Sequence, residues 1–161
     1  MVYTGSLGGG VPDTYTIRDD YPESISAGLN GAVLLAVSRT DQLAVLVRAR
    51  HFIHREYFGT LATVSLGGGA PREILENVEE ADWSKDSRAP SGNEVWFSGA
   101  TSGEEYCIRA ATLSGKTRTM YCGTSPTMIQ DALPNGRSLV SSEDTRASME
   151  FVEHGQGKAT T

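Results

Sequence analysis

The sequence predicts an all-β fold made of repeated four-stranded antiparallel units. Three observations lead there. Apolar and polar residues alternate with a period of two along most of the chain, and no stretch of three helical turns carries a convincing apolar stripe. Eighteen glycines punctuate these runs, enough for many tight turns between short strands. A phrase also recurs: apolar strand, a turn of Ser-x-Asp or Asn type, apolar strand. It appears as LLAVSRTDQLAVLV (34–47), again from Ala81 as ADWSKDS, and as IQDALPNGRSLVSS (129–142). Its turn residues Asp41, Asp86 and Asn135 stand 45 and 49 positions apart. A period in the forties with four strands per unit is the signature of β-propeller blades, and 161 residues hold about three and a half of them.

The elements follow in chain order. VYTGSL (2–7) opens as a strand, and the two apolar runs of 34–47 flank a turn at Arg39-Thr40-Asp41. GTLATVSLGGGAPREIL (59–75) reads as a hairpin turning at Gly67–Gly69. REILENVEEADW (72–83) is the best helical candidate, with Ile74, Leu75, Val78 and Ala81 at suitable spacings. Pro71 precedes it and strands flank it, so the expectation is strand, acidic turn, strand. YCIRAATLSGKTRTMY (106–121) is a second hairpin, turning at Ser114-Gly115. The domain is expected to span 1–153, with 154–161, including His154, as a frayed tail.

That second hairpin contains AATLSGKT (110–117), a loose phosphate-loop pattern with Ala110 in place of the first glycine. A phosphate loop leaves a strand and opens a helix, whose N-terminal amides hold the phosphates. Here TRTMYC (117–122) alternates like a strand, and the hairpin at 59–75 is a twin without the Lys-Thr pair. Gly115 therefore serves a turn, and no nucleotide or other cofactor is expected. Cys107 and Cys122 lie equidistant from a two-residue turn at Ser114-Gly115, which makes them cross-strand partners at a hydrogen-bonded position. They lie within bonding range, where a cross-strand bridge is strained; reduced thiols are the expectation on compartment grounds, and a disulfide is the alternative.

Bulk properties exclude several classes. A net charge of −6 and a pI near 5.0 provide neither the basic face nucleic acid requires nor a polybasic patch for anionic lipid. The longest apolar run, AVLLAV (32–37), is far below the roughly eighteen residues that span a bilayer. MVYTGSLGGG lacks the basic start and apolar core of a secretory leader, so the chain as written is expected in the cytoplasm.

The wording of three segments resembles TolB-like and WD-repeat-like propeller repeats, and most closely the propeller attached to bacterial serine/threonine protein kinases. These are 2–38, GTLATVSLGGGAPREILENVEEADWSKD (59–86), and the stretch from SGNEVWFSGA through NGRSLVSSEDTRA (91–147). The resemblance covers nearly the whole chain and implies the fold. It places HFIHREYF (51–58) at a variable loop between strands. One departure stands out: two blade turns, Lys85-Asp86-Ser87 and Pro90-Ser91-Gly92, fall five residues apart. A seam near 86–91 with one or two blades missing, and strand order preserved across it, accounts for this.

Candidate chemistry is sparse, and no catalytic residue can be named. His51, His54 and Glu56 are the metal-binding candidates; His-x-x-His pairs two imidazoles on a helix face but separates them on a strand. ENVEEAD (76–82) fits a calcium site less well than a solvated turn. Ser84-Lys85 are adjacent, not three apart as in serine–lysine nucleophiles. Trp83 and Trp96 are expected to fill space between blades, the alternative being a stacking platform for a ligand. The reading is a non-catalytic binding, sensing or interaction module with an unknown protein or small-molecule ligand. The alternative is a hydrolase, or the gating part of a prolyl-oligopeptidase-like one. Three and a half blades leave faces and edges bare, so a homodimer completing one ring is expected, its terminal strands VYTGSL and SMEFVE (148–153) pairing between or beside chains.

Overall fold

A computed structural model describes residues 1–6, 12–51, 57–85, 94–99 and 106–143, together with the backbone of 151–152 and 159–160. The described residues form β1 (Val2–Gly5), β2 (Asp13–Arg18), β3 (Tyr21–Ser26), β4 (Val33–Val37), β5 (Gln42–His51), β6 (Tyr57–Ser65) and β7 (Arg72–Val78). They continue as β8 (Glu80–Trp83), β9 (Glu94–Ser98), β10 (Tyr106–Thr112), β11 (Thr117–Gly123), β12 (Thr127–Ala132), β13 (Ser138–Ser142), β14 (Phe151–Val152) and β15 (Ala159–Thr160). No α-helix occurs among them, only a 3-10 turn at Pro134–Gly136. The all-β expectation holds.

Every sheet is an antiparallel meander of strands consecutive in sequence. β1–β3 form a first, three-stranded sheet; β4–β7 and β8–β11 form a second and third of four strands each. β12–β13 and β14–β15 are two-stranded. The segment expected to fray thus contains β15, whose backbone pairs with β14. The helical candidate at 72–83 is β7 and β8, separated by Glu79 alone. Residues 86–91 lie outside the described residues. The strands flanking them, β8 and β9, pair directly, with Trp83 opposite Val95.

Side-chain alternation explains how the sheets stack. In β5, Leu43 and Val45 join Leu29, Ala32, Ala62 and Val64 in a core against the first sheet. Their neighbours Ala44 and Leu46 point the other way, to Leu61, Val78, Ala81, Trp83, Val95 and Phe97, between the second and third sheets. In the third sheet, Trp96, Ile108 and Ala110 face away from that core, onto Ile129 and Ala132 of β12. A strand buried on both faces reads as a continuous apolar run, which is why LAVLV loses the period of two. The first strands of successive sheets adjoin: β8 lies against both β4 and β12. Gly99 marks a tight contact of the second and third sheets, since a Cβ there would collide with the Asn77 carbonyl oxygen.

The β10–β11 hairpin corrects three expectations. Its loop has three residues, not two: the amide of Thr112 donates to Lys116 O at 2.9 Å, and Gly115 takes the left-handed conformation, φ +83°. This slips the register, so Ala111 faces Thr117. A bulge then omits Met120 between the pairs Arg109–Thr119 and Ile108–Tyr121, restoring the lost residue. Cys107 therefore does face Cys122, but at a Cα separation of 4.0 Å. That is nearer the non-hydrogen-bonded spacing of about 4.5 Å than the expected hydrogen-bonded 5.5 Å. The two are joined in a disulfide and are not reduced thiols, because the bulge brings their sulfurs within bonding reach.

Closing a loop of 15 residues restricts the unfolded chain by about 3 kcal/mol. The double variant Cys107→Ser, Cys122→Ser should lose roughly that much stability in urea. A denaturation midpoint equal to that of the native chain would contradict the bridge's role.

Candidate functional site

The end of the second sheet where β5 meets β6 concentrates the unusual backbone of the chain. The apolar run of β5 stops at Val47 and gives way to Arg48-Ala49-Arg50-His51. Simple alternation from Leu46 would turn Arg48 and Arg50 into the core between the second and third sheets. A bulge prevents this. Val47 faces Thr60 and Arg50 faces Phe58, so Arg48 and Ala49 together oppose Gly59 alone. Arg48 adopts a left-handed φ of 52°, which costs a non-glycine residue conformational energy. Its guanidinium turns to the face carrying Thr60. There Nη1 donates to Glu73 Oε1 at 2.6 Å, and Nη2 to Glu73 Oε2 at 2.8 Å and Thr60 Oγ1 at 2.9 Å. Gly59 is required opposite, since a Cβ would lie 2.9 Å from the Val47 carbonyl oxygen and 3.1 Å from the Leu46 Cβ.

On the other side of β6, Asn77 of β7 is also left-handed, φ 60°. Between these two departures lies a groove of about 560 Å³, lined by Arg48, Arg50, Phe58, Gly59, Thr60, Glu76 and Asn77. Hydrogen bonding to Arg48 holds the Glu73 carboxyl below its ordinary value, and Arg48 is correspondingly raised. Arg50 and Glu76 are both exposed and make no ion pair among the described residues. The groove thus contains one neutralised guanidinium, one open guanidinium and an aromatic wall.

His51 ends β5, exposed, with its ring edge-on to Tyr57 at 5.4 Å. His54 and Glu56 lie outside the described residues. Among the described residues no three His, Cys, Asp or Glu side chains gather as a metal site. The acidic run at 76–82 is strand, not a loop around an ion: Glu76 lines the groove, and Asp82 points to the fourth sheet.

Asp82 carries a role that sequence reading missed. Its Oδ1 accepts from the Trp83 amide at 2.8 Å and its Oδ2 from the Ala132 amide at 2.7 Å, fastening β8 to β12. Lys85 bridges Asp82, at 3.3 Å, and Asp131. The hydrogen bond to Asp131 raises Lys85 above its ordinary value and lowers Asp131. A lysine held cationic cannot serve Ser84 as a base. The repeated Asp in ADWSKD and IQDA was the available signal for this clip. Both tryptophans are buried between sheets, and Trp96 Nε1 donates to Glu94 Oε1 at 2.8 Å; neither offers an open platform. Lys116 and Thr117 are exposed at a turn followed by β11, with no helix to receive a phosphate.

No known protein family, curated protein or solved structure matches the chain. Among the described residues no helix is long and apolar enough to cross a membrane.

Two outcomes follow from these contacts. Adding ATP and magnesium should leave the melting temperature unchanged in both the native chain and Lys116→Ala; a rise abolished by that substitution would restore the phosphate loop. The lowered carboxyls of Glu73 and Asp131 contribute stability above their ordinary values of 4.5 and 3.8, which is lost as pH falls through the lower folded-state values. Lys85 and Arg48 are raised, so their contribution is fully present at acid and neutral pH and is lost only in strong alkali. Melting temperature should therefore fall more steeply below about pH 4.5 in the native chain than in Glu73→Gln, Asp131→Asn. Equal slopes would remove these pairs from the account.

Proposed function

We propose that the chain is a non-catalytic binding module, a run of propeller-like blades that associates with a second copy of itself. One observation carries this reading: the second and third sheets bury both faces, whereas the first sheet and the β12–β13 pair bury one. The far face of the first sheet bears the stacked pair Tyr3–Tyr15, with ring centroids 5.6 Å apart. Beyond it, all six residues of β3 are exposed. On β13, Leu139 is 57% exposed. Apolar faces and open strand edges of this kind drive association.

The repeat length supports about three and a half blades per chain, so two copies supply about seven, inside the four-to-eight range of closed propellers. A ligand would then meet the strand ends, where the bulged groove lies. The resemblance to TolB-like repeats favours the same reading, and nothing in the geometry favours hydrolysis. The Cys107–Cys122 bridge supports an oxidising compartment over the cytoplasm expected from the sequence.

Light scattering on a size-exclusion column tests the assembly. The expected mass is twice 17.2 kDa. A stable monomer at micromolar concentration, with a cooperative melt, would replace the half-ring with a self-contained stack of sheets.

A further inference from the structure

We infer that the groove at the bulged end of β5–β7 binds a single carboxylate attached to an apolar group. This deepens the binding-module reading and rests on it, but concerns one site and not the assembly.

The backbone arrangement selects cations for this face. Without the bulge, Arg48 and Arg50 would point into the core; with it, Ala49 takes the core side and both arginines join Phe58 and Thr60. A simpler way to keep charge out of a core is a polar strand end, with no left-handed arginine and no obligatory glycine opposite. Here two strands take left-handed backbone on either side of one groove, at Arg48 and Asn77, and Gly59 between them has no room for a side chain. Strained backbone of this sort collects where a surface is being shaped for a ligand.

The charges then choose the ligand. Glu73 takes both terminal nitrogens of Arg48 and neutralises it, which leaves the Arg50 fork as the open donor. A planar guanidinium matches a planar carboxylate through two parallel hydrogen bonds. Phe58 stands directly opposite Arg50, so their side chains share a face at about 5 Å between Cβ atoms. An apolar group joined to the carboxylate would lie against the part of Phe58 that lines the groove. Glu76 lines the same groove and opposes negative charge there, twice as strongly for a doubly charged phosphate as for a singly charged carboxylate, so the site favours a monocarboxylate over phosphate.

The probe is 3-phenylpropionate, followed by amide chemical shifts of the full chain. A ligand of this size at ordinary efficiency should bind with a Kd of roughly 1–10 mM. Shifts are expected at Arg50, Phe58, Thr60 and Asn77. Arg50→Gln should weaken binding at least fivefold without changing the melting temperature, Arg50→Lys should not restore it, and Glu76→Gln should tighten it. The neutral alcohol 3-phenylpropanol and inorganic phosphate should each bind more weakly than the acid. A peptide ending in Phe with a free carboxylate, run beside its amidated form, tells a chain terminus from a small acid; preference for the free form supports the site from either source. Equal binding of alcohol and acid, tighter binding of phosphate, shifts confined to other strands, or no shifts at 20-fold the expected Kd would each overturn the inference. A chain that dimerises yet ignores the acid loses only this groove, and one that binds the acid as a monomer loses only the assembly.

Discussion

The structure depends on burying two faces of one sheet at once. A four-stranded meander with one apolar face could rest on a single partner and leave its other side wet. β4–β7 and β8–β11 are apolar on both sides, so each must be sandwiched, and the stack is the consequence. Leu43 and Leu46, three positions apart in β5, are buried in different cores. A one-residue slip in this strand would exchange two complete sets of packing contacts, so register is fixed from both sides.

Polar groups enter this stack only where an apolar contact could not supply direction. Glu94, only 3% exposed, receives the Trp96 indole and the Arg118 guanidinium, so a buried carboxylate is matched by two donors. Asp82 accepts two backbone amides and thereby sets how β12 meets β8. Such bonds add modestly to stability and more to uniqueness, because a misplaced partner would leave a buried charge without compensation.

Much of the architecture could be read from residue pattern, because strand pairing between sequence neighbours is a local property. The hairpin at 106–121, the strand identity of 72–83 and the burial of both tryptophans follow from alternation and turn residues. The pairing of Cys107 with Cys122 was anticipated through an incorrect turn: the longer loop and the bulge at Met120 offset one another. Bulges leave little trace in sequence, since an extra residue changes neither composition nor mean hydropathy. For the same reason the groove was invisible. It requires Arg48 in a left-handed conformation, and nothing about the letter R announces that. His51, His54 and Glu56, a few residues further on, stand out in the sequence instead, because histidine is a metal ligand by its side chain alone, whereas a bulge is a property of the backbone.

The single-residue link at Glu79 has a mechanical meaning. The second and third sheets are joined through it, and the Glu79 amide donates to Ser98 O at 2.9 Å. No slack exists for these sheets to part while both stay folded. The first sheet is tethered through six residues, from Ala27 to Ala32, and so has a longer leash. Any breathing of the stack should then begin as a hinge between β3 and β4, with the eight strands from β4 to β11 moving as one rigid lever.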